Sequence, residues 1–286
     1  MALGLDRQVV GKDCAPDSGG AQEVRGIEMK KSAWKIGAAL VGLAMAATAP
    51  AHAGGGLKDG GSYEPTWIAT YTGADFAKDS FYSYSGAVVS LQRDLSKSGF
   101  VFQGFAGYGS YEYASGIGTI DGDVTQLAAM LGYLWVRPGA SVGIYLGADY
   151  HHHDLTPFDP FNVVEGSEVG FRVGGDIRLI GPSHYFTLEG YYSTAFDTYW
   201  SRVRAGLNLG RVVIGPEAGA HGSDGYDAQR LGGFAMFKID FLGTKNPGEL
   251  TINAGYQFLS DESSPWVASS AGGEGAYIGF NLGFAF

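Results

Sequence analysis

The densest group of side chains able to hold a metal is His151-His152-His153, followed by Asp154. Imidazole nitrogens and carboxylates suit zinc, but consecutive residues on a strand point to opposite faces. The run therefore reads as a polar loop edge, and no metal site is expected. Cys14 is the one cysteine, so neither an internal disulfide nor a zinc site built on several thiolates can form. Nucleophilic catalysis has no better support. The chain contains no Gly-x-Ser-x-Gly elbow and no zincin motif. A lipid hydrolase would need Ser, His and an acid grouped together, whereas His184 and His221 fall in or near turn segments without an evident partner. The glycine-rich stretch Gly104-Phe105-Ala106-Gly107-Tyr108-Gly109 is not followed by a strand-to-helix transition, so tight sheet packing explains it better than a phosphate loop. No catalytic, cofactor or metal set is expected.

What remains is a set of charged and phenolic residues on one face of alternating segments: Gln126, Asp149, Arg172, Asp176, Arg178, Glu189, Arg202, Arg204, Glu217, Arg230, Lys238 and Glu249, with Tyr145, Tyr191 and Tyr277. The opposite face of the same segments is apolar. Leu250, Ile252, Ala254, Tyr256 and Phe258 oppose Glu249, Thr251, Asn253, Gly255 and Gln257; Val169, Phe171, Val173, Ile177 and Leu179 oppose Arg172, Asp176 and Arg178. A period of two is the strand signature.

Composition agrees. Glycine makes up 47 of 286 residues, aromatics 14% and charged residues 17%. Such a chain is too apolar for disorder, lacks the collagen period, and would lose about 1 kcal/mol at each glycine inside a helix. The net charge of −10 argues against a nucleic-acid partner, which needs clustered Lys and Arg.

The N-terminal 53 residues read as an address. Lys30-Lys31 and Lys35 precede an apolar run from Ile36 to Ala47 and the small-residue site Ala51-His52-Ala53, the three parts of a secretory signal peptide. Residues 1–28 then form an upstream start-site extension, 29–53 the cleavable signal and 54–286 a single barrel domain. Twelve alternating segments follow, at about 66–77, 80–92, 98–113, 122–136, 139–152, 165–180, 183–196, 199–210, 211–221, 226–240, 247–260 and 273–286. No apolar stretch among them is long enough for a spanning helix. Tight turns at Arg137-Pro138-Gly139, Gly181-Pro182-Ser183 and Asn208-Leu209-Gly210 alternate with longer loops at 114–122, 153–165 and 260–272.

An even strand number with short turns at one end and longer loops at the other is the pattern of an outer-membrane barrel, with both termini in the periplasm. The competing reading is a secreted β-sandwich or calyx, polar face outward, because alternation alone does not say which face meets lipid. Against it stand charges that share a face with glycine, and Tyr133, Trp135 and Tyr192 near segment ends, as in interfacial girdles. The last strand, Ile278, Phe280, Leu282, Phe284 and terminal Phe286, also resembles the signal read by the outer-membrane insertion machinery. The fold expected is therefore all-β, a transmembrane antiparallel up-and-down β-barrel of about twelve strands, in contact with outer-membrane lipid and closed because hydrocarbon tolerates no unpaired backbone. Barrels of about eight strands fill with side chains and sixteen-stranded ones hold channels; a plugged or constricted interior is the favoured expectation for twelve.

Several segments resemble the cellulose biosynthesis protein BcsS family of Gram-negative bacteria. They are Gly99-Phe100 with Gly107-Tyr108-Gly109-Ser110-Tyr111-Glu112-Tyr113; Leu155-Thr156-Pro157-Phe158-Asp159-Pro160 with Gly170-Phe171-Arg172-Val173-Gly174-Gly175-Asp176; and Gly215-Pro216-Glu217 with Asp224-Gly225-Tyr226 and Arg230-Leu231-Gly232. Together they span about residues 67 to 286 in the family's order. Gln103 departs from the pattern, where an arginine is expected. The resemblance implies a role in cellulose synthesis or secretion alongside the synthase machinery, and supplies no catalytic residues. The expected function is a non-enzymatic accessory barrel assisting glucan export or assembly, with a small-solute porin and a lipid-modifying enzyme as alternatives. A neutral glucan presents sugar faces that suit aromatic contacts, which makes Tyr145, Tyr191 and Tyr277 the candidates, with ordinary barrel packing the favoured role for all three.

Overall fold

The computed structural model describes residues 65–160, 162–239, 248–259 and 273–286. The expected extension and signal peptide, Cys14 and the loop at 260–272 lie outside the described residues. Within them run twelve strands: β1 (Ile68–Ala77), β2 (Ser80–Ser90), β3 (Gly99–Ser115), β4 (Gly118–Arg137), β5 (Ala140–Thr156), β6 (Gly166–Ile180), β7 (His184–Ser193), β8 (Tyr199–Asn208), β9 (Val212–Ser223), β10 (Tyr226–Ile239), β11 (Gly248–Leu259) and β12 (Gly275–Ala285). Each pairs antiparallel with its sequence neighbours, and β1 pairs with β12 to close the barrel. Closure runs from Ala69 opposite Ala285 to Ala77 opposite Tyr277. The terminal carboxyl residue takes part: Trp67 N donates to Phe286 O at 2.7 Å and Phe286 N to Ile68 O at 2.8 Å. Both chain ends of the barrel thus lie at one end, here called the terminal end.

The exterior is apolar around the circumference. Phe100, Leu131, Phe171, Leu207, Leu231, Ile252 and Ile278 all stand out from it, each more than two-fifths exposed. Charged residues of the strands turn inward and are buried, among them Asp149, Arg172, Glu189, Arg204 and Glu217. A surface of this kind fits hydrocarbon, not water, and the closed ladder leaves no sheet edge for lipid to meet. The chain is a transmembrane β-barrel.

Two expectations about the connections are corrected. Residues 114–122 are not a long loop: β3 runs to Ser115, β4 starts at Gly118, and only Gly116-Ile117 lie between, with Gly118 at φ 127°. Glu112, Asp121 and Asp123 sit on the outer face of a continuing hairpin, while Tyr111, Tyr113 and Ile120 pack inside it. The outer face has simply passed from apolar to polar, as it does where strands leave a hydrocarbon layer. β5 likewise extends to Thr156, shortening the loop expected at 153–165.

The alternation of short and long connections is also less regular than expected. Pro138-Gly139, Gly181–Ser183 and Leu209–Arg211 are tight turns at the terminal end, but 91–98 at that end is longer than Lys78-Asp79 or Asp224-Gly225 opposite. Segment 91–98 is folded inward: Leu95 is buried, its N–H donates to Thr66 O at 2.7 Å, and Asp94 Oδ1 accepts from Ser96 Oγ at 2.6 Å. At the far end, the residues that close the segment expected at 183–196 form a 3-10 turn, Ala195–Asp197, whose Phe196 ring packs 5.1 Å from His153.

Inward tyrosines lie flat across glycines of the neighbouring strand, which accounts for much of the glycine content. A Cβ at Gly132 would collide with the Tyr145 ring and stand 2.6 Å from the Ile144 carbonyl oxygen; one at Gly86 would collide with Tyr71. Gly132→Ala should therefore lower stability by about 1–3 kcal/mol through overpacking, read as a lower urea midpoint of the folded band on unheated gels. An unchanged midpoint would contradict this packing.

Candidate functional site

The lumen divides into two parts along its axis. In the terminal half two apolar clusters face each other, one of Val88, Leu95, Val101, Met130, Leu134, Val136 and Tyr145 from β2 to β5 and the connection at 91–98. The other is made of Tyr185, Val213, Phe234 and Met236 from β7, β9 and β10, with Ile180 against it. Val88, Met130 and Val213 are at most 1% exposed, so this half is packed like a protein interior. It is a core and not a bore.

Between and above these clusters the inward charges pair. Arg178 on β6 reaches across the lumen to Glu249 on β11, placing Nη2 2.9 and 2.7 Å from the two carboxylate oxygens. On adjacent strands Arg202 Nε donates to Glu189 Oε1 at 2.6 Å, and Arg204 is paired with Glu217. Glu217 Oε1 also accepts from Tyr277 Oη and Asn253 Nδ2, both at 3.1 Å. Tyr145 Oη donates to Asp176 Oδ1 at 2.9 Å. Tyr145, Asp176, Arg178, Arg204, Glu217 and Tyr277 thus form the filling. Opposite charges in a narrow, dry lumen are tolerable only when paired in this way.

The other half, away from the termini, contains a cavity of about 200 Å³. Of the candidates read from the sequence, Gln126, Arg172, Glu189, Tyr191, Arg202 and Arg230 line it, and Asp149 lies behind its wall. The Arg172 guanidinium is clamped between rings, 3.3 Å from the Tyr191 centroid and 4.9 Å from that of Phe105. Its Nη1 stands 3.5 Å from Asp149 Oδ2, which also contacts His151 Nε2 at 2.9 Å. Arg230 Nε donates to Gln257 Oε1 at 2.9 Å, with Asp75 3.7 Å from its Nη1.

His151 and His153 are not at a polar loop edge: both sit on β5, buried and facing inward, while His152 faces out and contacts Ser167 Oγ at 2.8 Å. Among the described residues no group of three or more potential ligands is placed to hold a metal ion. His184 is exposed at the start of β7, whereas His221 lines the cavity.

Sequence reasoning passed over Tyr71, Tyr82, Tyr84, Phe105, Trp200 and Tyr226, all in the cavity wall. The signal lay in Ser80-Phe81-Tyr82-Ser83-Tyr84-Ser85, where a period of two puts both tyrosines on one face. Gln103, standing where an arginine was expected, donates from Nε2 to Tyr71 Oη at 3.0 Å.

Residues 69–286 match the family model described as cellulose biosynthesis protein BcsS. No curated protein matches the sequence. Among solved structures the chain is similar to Pseudomonas aeruginosa OpdK with vanillate, at 13% identity and TM-score 0.35, covering 79% of this chain and 67% of that one. CdiB from Escherichia coli gives 12% identity and TM-score 0.36, covering 79% and 64%. The β domain of the Bordetella autotransporter BrkA gives 11% identity and TM-score 0.35, covering 77% and 98%.

The Arg178–Glu249 strut generates a stability prediction. Arg178→Met alone leaves a carboxylate facing the packed core, and should cost about 3–5 kcal/mol. Adding Glu249→Leu should recover most of that loss in urea titrations of the detergent-solubilised barrel. Equal destabilisation by single and double variants would show that the pair does not couple.

Proposed function

The chain belongs to the family of cellulose biosynthesis protein BcsS, and from that membership we propose that it is a non-enzymatic outer-membrane barrel assisting export or assembly of the glucan at the cell surface. On this reading residues 29–53 direct export, both termini of the barrel lie in the periplasm, and the hairpin of β3 and β4 rises outside the cell. The partners are outer-membrane lipid along the apolar belt, the insertion machinery acting on the strand that ends in Phe286, and the cellulose synthase or secretion complex.

One observation favours an accessory role over a conduit: the packed terminal half, where Val88, Met130 and Val213 are almost wholly buried. A glucan chain or a hydrated solute would have to displace that core, and removing several large buried side chains costs about 2–5 kcal/mol each. The same observation counts against the general porin. A barrel of this construction contributes its surfaces and its cavity, not a path through the membrane.

Purified protein in planar bilayers should therefore give no steady open-state current, whereas a persistent ohmic conductance would support the porin instead. Deleting the gene in a cellulose-producing host should strip cellulose from the cell surface, as read by dye binding, and a plasmid copy should restore it. Undiminished surface cellulose in the deletion strain would contradict the accessory role.

A further inference from the structure

The cavity wall holds polar groups whose hydrogen-bonding capacity is only partly used. Tyr71 Oη accepts from Gln103 Nε2 at 3.0 Å and Tyr84 Oη accepts from Asn281 Nδ2 at 3.2 Å; among the described residues neither hydroxyl donates. Gln103 Oε1 is a buried acceptor without a hydrogen-bond partner, and Arg172 Nε is a buried donor without one. Arg172 and Gln103 are each only 2% exposed. Buried polar groups left unsatisfied are costly, and four such side chains in the wall of one cavity indicate that something else completes them.

The chemistry of the set selects the class of ligand. It mixes donors with an acceptor, as hydroxyl groups require. The cations of the wall already have anionic company, Arg202 with Glu189, Arg230 with Asp75 and Arg172 with Asp149. A phosphate or carboxylate would be brought up against those three carboxylates, and an ammonium group against three guanidinium groups. A neutral polyol meets neither penalty. The wall also offers ring faces: Tyr82 and Tyr84 stand with centroids 6.3 Å apart and planes 29° from parallel. The volume, about 200 Å³, is many times the roughly 10–15 Å³ that one water needs, and suits a chain end but not a polymer bundle.

We propose that this cavity binds one end of a neutral β-linked glucan, with the Tyr82 and Tyr84 rings against the sugar face and Arg172, Gln103, Tyr71 and Tyr84 serving its hydroxyls. The inference rests on the reading of the chain as a cellulose accessory barrel and names what its lumen recognises. The packed terminal half makes the cavity a dead end, so a chain end is held there and does not thread through.

The test uses the whole folded barrel in detergent and cellotetraose as probe, with maltotetraose as the α-linked control, in isothermal titration calorimetry. Saturable heat is expected with cellotetraose and at least about tenfold weaker binding with maltotetraose. Tyr84→Leu, which removes a ring and a hydroxyl, should weaken binding about tenfold or more. Tyr71→Phe, which deletes the hydroxyl with both its free donor and its bond from Gln103, should weaken it about threefold to tenfold in a barrel whose unheated gel mobility is unchanged. Absence of saturable heat from the folded wild-type barrel, equal binding of both sugars, or indifference to Tyr71→Phe would each overturn the proposal. If cellotetraose fails to bind while gene deletion still strips surface cellulose, the cavity assignment falls and the accessory role stands. Binding with cellulose intact in the deletion strain has the opposite meaning.

Discussion

A peptide group inside hydrocarbon has no water to bond, so every N–H and C=O in the membrane must find a partner within the protein. The pairing of β1 with β12 meets that demand for the last two open edges, from Ala69 opposite Ala285 to Ala77 opposite Tyr277. Once the sheet is closed it has an inside and an outside, and strand alternation assigns every residue to one of them. Phe280 and Ile278 go to lipid while Asn281 and Tyr277 go inward. The polarity of the whole molecule follows from that sorting.

An interior with twelve strands around it is too wide for small side chains to fill and too narrow for freely hydrated charge. Two devices resolve this. Tyrosines on one strand lie across glycines on the next, as Tyr145 does over Gly132, which supplies bulk without pushing strands apart. Arginines and carboxylates meet across or along the wall, as in Arg178 with Glu249 and Arg202 with Glu189. Near the termini, where Leu95 folds in from the connection at 91–98, the result is a solid core. Towards the other end the filling thins, the aromatic residues line a space, and the polar groups around it are incompletely matched. Stability and recognition are thus separated along the same axis.

The barrel was legible because a period of two survives along each strand: Glu249 to Phe258 alone shows which residues face the lumen. Side chains read as inward from the sequence, such as Asp149, Arg178, Glu217 and Tyr145, are buried in the barrel, and Tyr191 and Arg230 line its cavity. What misled was polarity used as a proxy for position. The stretch 114–122, with Asp121 in it, reads as an acidic loop, yet Asp121 belongs to β4 and Ser115 still to β3. The cavity was less legible than the barrel. Pairings such as Arg178 with Glu249, which are 71 residues apart, depend on which strands end up opposite, and alternation contains no such information.

The central claim is that the face carrying Leu131, Phe171 and Leu231 meets hydrocarbon while His152, on the outer face of β5, stands above it. Single nitroxide labels at these positions, on a background lacking Cys14 and in lipid vesicles, read this directly by power saturation. The account predicts that labels at Leu131, Phe171 and Leu231 collide often with dissolved oxygen and rarely with a water-soluble nickel chelate, and that the label at His152 does the reverse. Nickel accessibility at Leu131 equal to that at His152 would contradict it.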